Sequence, residues 1–132
     1  MDGAVPKAKR KPLTKAELRI MDVLWQLRSA TVAEVVAALT RPPLAYTTVL
    51  TMLRILEQKK VVKREAGARA HVYSPVIERD DAAKSAIGDV VASFFSNSKT
   101  ALALRLMADS QPSADELDRI KALIARYEEN HQ

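Results

Sequence analysis

Tyr46, Thr47, Thr51 and Arg54 fall within nine residues of one another at spacings that place them on one side of a helix. Together with Thr48 they offer hydroxyls, methyl groups and one guanidinium, with no carboxylate among them. That inventory suits a helix lying in a DNA groove: hydroxyls and guanidinium meet base edges or phosphates, and threonine methyls pack on thymine methyls. A solvated surface helix would more often carry mixed Glu and Lys. The apolar residues Val49, Leu50, Leu53 and Leu56 fall on the opposite side, where they turn inward. Arg54, one turn beyond Thr51, reaches phosphate or a guanine edge, and the helix start itself favours phosphate.

The elements that must hold this helix can be read on either side of it. Thr14 and Glu17 form a capping box ahead of Leu18, Met21, Val23, Leu24, Trp25 and Leu27, which predicts a helix running to about Arg28. Thr31 and Glu34 repeat the signal before Val32, Val35, Val36 and Leu39, and Pro42-Pro43 is expected to end that second, shorter helix. The third helix follows and runs to Lys59 or Lys60. The period then changes. Val61 to Glu65 and Ala70 to Ser74 read as strands, joined through Gly67, a residue that accepts positive φ cheaply. Lys63, Arg64 and Arg69 on this hairpin would make backbone contacts blind to base sequence. Three helices and a basic hairpin make a winged helix-turn-helix, so the fold class is mainly α with a small β-hairpin wing. Trp25 reads as core, and His71 as a half-buried strand residue.

Charge is divided along the chain. Residues 1–75 carry 14 Lys and Arg against 6 Asp and Glu, and residues 76–132 carry 7 against 10, within a net +5 overall. A cationic front half is the electrostatic footprint of a surface that docks on phosphates. Residues 1–12, with Lys7, Lys9, Arg10 and Lys11, read as a basic disordered arm. The 132 residues contain no cysteine and two histidines, which argues against disulfides and metal sites, and no cofactor is expected. With 3 glycines there is no phosphate-cradling loop, and no nucleophile has an adjacent base, so an enzyme is not expected. No apolar run reaches the roughly 20 residues of a membrane span, and the basic N-terminus lacks the apolar stretch of a signal peptide, so the expected location is cytoplasmic.

After residues 13–76, which form the winged-helix domain, residues 77–132 return to helical periodicity. Asp80 is placed to cap a helix containing Ala83, Ile87, Val90, Val91, Phe94 and Phe95; Asn97 and Ser98 mark a break; Ala101 to Met107 forms a short apolar piece. Ser113 and Glu116 open a last helix with Leu117, Ile120, Leu123, Ile124 and Tyr127. About 50 residues rarely close a core alone. A second copy of the chain is the expected remedy, joined through Ile87, Val91, Phe94, Phe95, Leu102, Leu106, Ile120, Leu123, Ile124 and Tyr127. The competing arrangement is a monomer with these helices folded back on the front domain.

Leu13-Thr14-Lys15-Ala16-Glu17, Tyr46-Thr47-Thr48-Val49-Leu50-Thr51-Met52-Leu53 and Val72-Tyr73-Ser74-Pro75 carry a further reading: the chain resembles the BlaI/MecI/CopY family of bacterial repressors. The likeness covers roughly residues 13 to 128. It implies a winged-helix N-terminal domain, a helical C-terminal domain that forms a homodimer, and a double-stranded operator with an inverted repeat whose occupation blocks transcription. Some relatives are released when a membrane sensor-protease pathway cuts an Asn-Phe bond in the dimerisation domain. By spacing, that bond corresponds here to Arg105-Leu106, so the scissile pair is not reproduced. The cysteine motif of copper-responsive relatives is absent. The alternative is a ligand-responsive winged-helix regulator of the MarR kind, against which stands the lack of any dimer helix before Leu13.

Overall fold

The computed structural model describes residues 12–130, so the basic segment assigned to residues 1–12 lies, except for Pro12, outside the described residues. Along the chain run α1 (Lys15–Leu27), α2 (Val32–Ala38), α3 (Tyr46–Gln58), β1 (Val62–Ala66), β2 (His71–Pro75), α4 (Arg79–Phe94), α5 (Lys99–Asp109) and α6 (Ala114–Asn130). The described residues fall into two compact units, divided between Ile87 and Gly88.

In the first unit, α1 and α2 each begin with a complete capping box. Thr14 and Thr31 accept from the backbone N–H of Glu17 and Glu34, and those carboxylates accept the N–H of the capping threonine. One face of each helix then goes inward: Ile20, Met21 and Leu24 from α1, Val32 and Val35 from α2, and Val49, Leu53 and Leu56 from α3 make one core. Leu50 lies only half-buried at its edge, and Ile55 is exposed. α2 stops well before Pro42. Leu39 turns to extended backbone (φ −92°, ψ 97°) and buries its own side chain, so the demand to cover a leucine ends this helix rather than the prolines. Arg28 (φ 70°) and Lys60 (φ 64°) hold left-handed backbone at the ends of α1 and α3, a strained choice for non-glycine residues that nothing in their types announces.

β1 and β2 pair antiparallel with Val62 opposite Pro75 and Ala66 opposite His71, one residue later than the sequence pattern places each strand. The displacement follows from Val61, which is buried and gives its N–H to the Leu56 carbonyl at the end of α3. Gly67 does not use positive φ. A side chain there would drive Cβ into the Ala70 carbonyl oxygen and put it 2.9 Å from Val72 Cγ2, so close approach of the returning strand is what requires glycine. At its base the hairpin gains a third partner: Ala30 and Tyr73 exchange both backbone hydrogen bonds, at 2.9 and 2.8 Å, and the Tyr73 side chain is buried beneath them. His71 is exposed, contrary to its reading as half-buried.

Trp25 is buried, as its position in α1 suggests, and its indole N–H donates to the Ile77 carbonyl at 2.9 Å. Asp80 lies inside the first turn of α4, which starts at Arg79, and caps nothing. The second unit contains the rest of α4 with α5 and α6. Ser98 caps α5 by accepting from Ala101 N–H, and the Ser113/Glu116 box opens α6. Ser96 and Asn97, both left-handed, form the break between α4 and α5. Val91 is the single buried side chain among the described residues of this unit.

Candidate nucleic-acid interface

α3 is positioned from both ends. At its start, the Arg19 guanidinium of α1 donates to the Pro42 carbonyl in the turn that leads into the helix. At its end, Lys59 Nζ donates to both carboxylate oxygens of Glu17, at 2.8 and 3.1 Å, and to the Pro12 carbonyl at 3.1 Å. Glu17 is 3% exposed, and sequence reasoning recognised only its capping role. Burial pushes the Glu17 carboxyl up, but the Lys59 hydrogen bond and charge and the Thr14 bonds outweigh this and hold it below its ordinary value. The ion pair therefore staples the first turn of α1 to the last turn of α3.

With its inner face committed to the core, α3 presents Tyr46, Thr47, Thr48, Thr51 and Arg54 to solvent, all exposed. Thr51 stands one turn and Arg54 about two turns beyond Thr47, roughly 10 Å along the axis. Arg54 has no ion-pair partner among the described residues. The N-cap is Ala45, whose side chain makes no capping bond. The opening N–H groups of α3 consequently lack the side-chain acceptor that Thr14, Thr31, Ser98 and Ser113 give their helices.

The wing adds Lys63, Arg64 and Arg69, all exposed. They are not equivalent. Arg69 has no carboxylate partner among the described residues, Lys63 lies 3.9 Å from Glu65, and Arg64 Nε lies 3.6 Å from Glu57 Oε2 in the last turns of α3. Arg64 thus ties the wing to the helix and is partly neutralised by doing so. Arg41, exposed in the turn before α3 and without an ion pair among the described residues, is a cation that sequence reasoning passed over. It lacks helical periodicity, so only its place before Tyr46 could have marked it.

The residues assigned to self-association occupy the other end of the chain. Phe94 is 80% exposed, and Ile87, Leu106, Leu123, Ile124 and Tyr127 each leave half or more of their surface in solvent. Phe95, Leu102 and Ile120 are half-buried, and Val91 is buried. Arg105 and Leu106 lie within α5, where Arg105 pairs with Asp109 one turn on, at 3.0 Å. Among the described residues there is no group of acidic, histidine or cysteine side chains able to hold a metal, and no helix long and apolar enough to cross a membrane.

A family model described as penicillinase repressor matches residues 13–126. The transcriptional regulator BlaI of Mycobacterium tuberculosis is 35% identical over 126 residues, 94% of this chain and 91% of the relative. The penicillinase repressor of Bacillus licheniformis is 23% identical over 116 residues, 87% of this chain and 91% of the relative. Both are named as regulators and not as enzymes. The solution structure of the monomeric form of Bacillus licheniformis BlaI in complex with the blaP half-operator is 31% identical, with a TM-score of 0.48 over 55% of this chain and 90% of that one.

Proposed function

The chain belongs to the penicillinase repressor family, and from that premise we propose that it is a homodimeric transcriptional repressor that reads an inverted-repeat DNA operator. The observation that carries the proposal is the exposed face of α3 from Tyr46 to Arg54, free of carboxylates and flanked by the cations of the wing.

In this reading Thr47 and Thr51 meet base edges in the major groove, Tyr46 and Thr48 meet the edge of the groove and nearby phosphate, and Arg54 neutralises phosphate further along. The uncapped start of α3 turns its N–H groups toward the same backbone. Lys63 and Arg69 supply wing contacts to phosphate. Arg64 contributes less charge and more position, because Glu57 already shares it.

Self-association is supported by the apolar surface of the second unit. A chain of this size rarely leaves Phe94, Leu106, Leu123 and Ile124 in water without a partner to cover them. Burying each contributes on the order of 1.5 to 3 kcal/mol. Two copies joined this way would set their reading helices one DNA turn apart, roughly 34 to 36 Å. Linking two weak half-site contacts raises their joint affinity, so weakening the apolar joint releases the operator without touching α3. A sensor-protease pathway acting on the second unit would exploit that. The Arg105-Leu106 bond lies inside α5, so cutting there requires that helix to open first.

The test is binding of purified protein to duplex fragments of its own promoter, footprinted and then titrated with salt. An inverted-repeat footprint and a log-log salt slope on the order of −5, for about six neutralised phosphates per dimer, support the proposal. A protein that stays monomeric at micromolar concentration and ignores these duplexes in dilute buffer overturns it.

A further inference from the structure

The arginines of the first unit divide into those already held and those left open. Arg28 pairs with Glu78 at 3.2 Å, Arg64 with Glu57 at 3.6 Å and Arg79 with Asp22 at 2.6 Å, while Arg19 donates to the Pro42 carbonyl. Arg41, Arg54 and Arg69 are exposed and have no carboxylate partner among the described residues. They lie just before α3, on α3 and at the wing tip. Arg54 and Arg69 already have places in the interface described above. Arg41 has none.

Arg41 stands in a turn that is fixed on every side. Leu39 is buried and Leu44 packs on the core, so the chain is pinned just before the turn and just after it. Thr40 and Pro43 close it with an antiparallel bridge, and Arg19 of α1 holds the Pro42 carbonyl within it. The two prolines hold their own φ. The guanidinium is exposed, yet the backbone that carries it has little freedom left to lose, and such preorganisation makes a single charged contact effective.

The wing joins the opposite end of α3. Val61 N–H donates to the Leu56 carbonyl at 3.1 Å, and Arg64 reaches Glu57. With 13 residues, α3 is about 20 Å long, against a major groove about 12 Å wide. Cations at the two ends of such a helix meet different walls of the groove.

We infer that Arg41 is a phosphate anchor, gripping the DNA strand that lies across the major groove from the one held by the wing. The inference rests on the operator reading above and deepens it. A helix held only by the wing would pivot about its C-terminal end, whereas backbone contacts at both ends fix its depth and tilt against the bases.

The experiment compares the full chain with Arg41→Gln and Arg41→Lys. On a duplex carrying one half-site, Arg41→Gln should make the log-log salt slope shallower by about 0.9, one phosphate per reading head, and weaken binding to an unrelated duplex by the same factor as binding to the half-site. Arg41→Lys keeps the charge and should restore the slope. The melting temperature should not move. On the footprinted operator, ethylation of single phosphates should show Arg41→Gln losing its dependence on a phosphate of one strand and Arg69→Gln on the other. An unchanged slope in Arg41→Gln overturns the anchor, as does a lower melting temperature with that unchanged slope, which would make Arg41 a strut of the turn. A loss confined to the half-site overturns it in favour of a base contact, and phosphates lost on the same strand in both variants overturn the two-walled grip. If the parent chain itself binds neither duplex, the operator reading falls and the anchor with it; a parent that binds while Arg41→Gln keeps its slope sinks the anchor alone.

Discussion

Glu17→Gln removes one charge from the staple between α1 and α3 while keeping nearly everything else. Glutamine still accepts the Thr14 N–H, so the capping box survives. What is lost is the attraction to Lys59, whose side chain is 15% exposed against 5% for Glu17. Breaking a fully buried pair costs about 3 to 5 kcal/mol and an exposed one below about 1, so this partly solvated pair should be worth about 2 to 3. In a unit of this size that lowers the melting temperature by on the order of 10 to 20 °C. Thermal denaturation followed by circular dichroism measures it, in a cycle with Lys59→Met and the double variant. The double variant should cost less than the two singles combined, because neither partner is then left unpaired. The sign with pH is fixed by the lowered Glu17 carboxyl: its contribution is complete above the ordinary value of 4.5 and disappears as pH falls through the lower folded value. The gap between parent and Glu17→Gln should therefore close in acid. Single variants that add within about 0.5 kcal/mol would refute the claim that this pair fixes the end of α3.

Three further outcomes bear on the interface and the joint. Thr47→Ala with Thr51→Ala should abolish the specific footprint, each threonine contributing about 1 to 3 kcal/mol of discrimination, while the melting curve stays within experimental error of the parent. Arg69→Gln should make the salt slope shallower by about 1, and Arg64→Gln should change it less because Glu57 already shares that charge; equal changes, read from fluorescence anisotropy titrations, would remove the distinction between them. Phe94→Ser should weaken self-association by at least tenfold in sedimentation equilibrium, leaving the circular dichroism of the winged-helix unit unchanged.

The parts of this fold that were legible beforehand are those written in neighbouring residues. Thr14/Glu17, Thr31/Glu34 and Ser113/Glu116 each encode a helix start within four positions, and all three boxes form. The outward face of α3 followed from the same short-range periodicity. What escaped depends on partners far apart in the chain. Lys59 is 42 positions from Glu17, and Ile77 is 52 from Trp25, so neither bond leaves a local trace. The partial neutralisation of Arg64 is likewise invisible until α3 and β1 are side by side. Gly67 was recognised as special for the wrong physical reason, because the residue type alone does not distinguish a need for backbone freedom from a need for space.

The two bonds between Ala30 and Tyr73 give the wing a third rail at its root, while among the described residues the tip from Gly67 to Ala70 is closed by the single backbone hydrogen bond from Gly67 N–H to the Ala70 carbonyl. Root and tip can accordingly be altered separately. Residues inserted at Ala68-Arg69 would lengthen the reach of the wing without unseating the sheet, which makes the tip a place where an engineer, or natural variation, can retune grip on DNA while the register of the reading helix stays as it is.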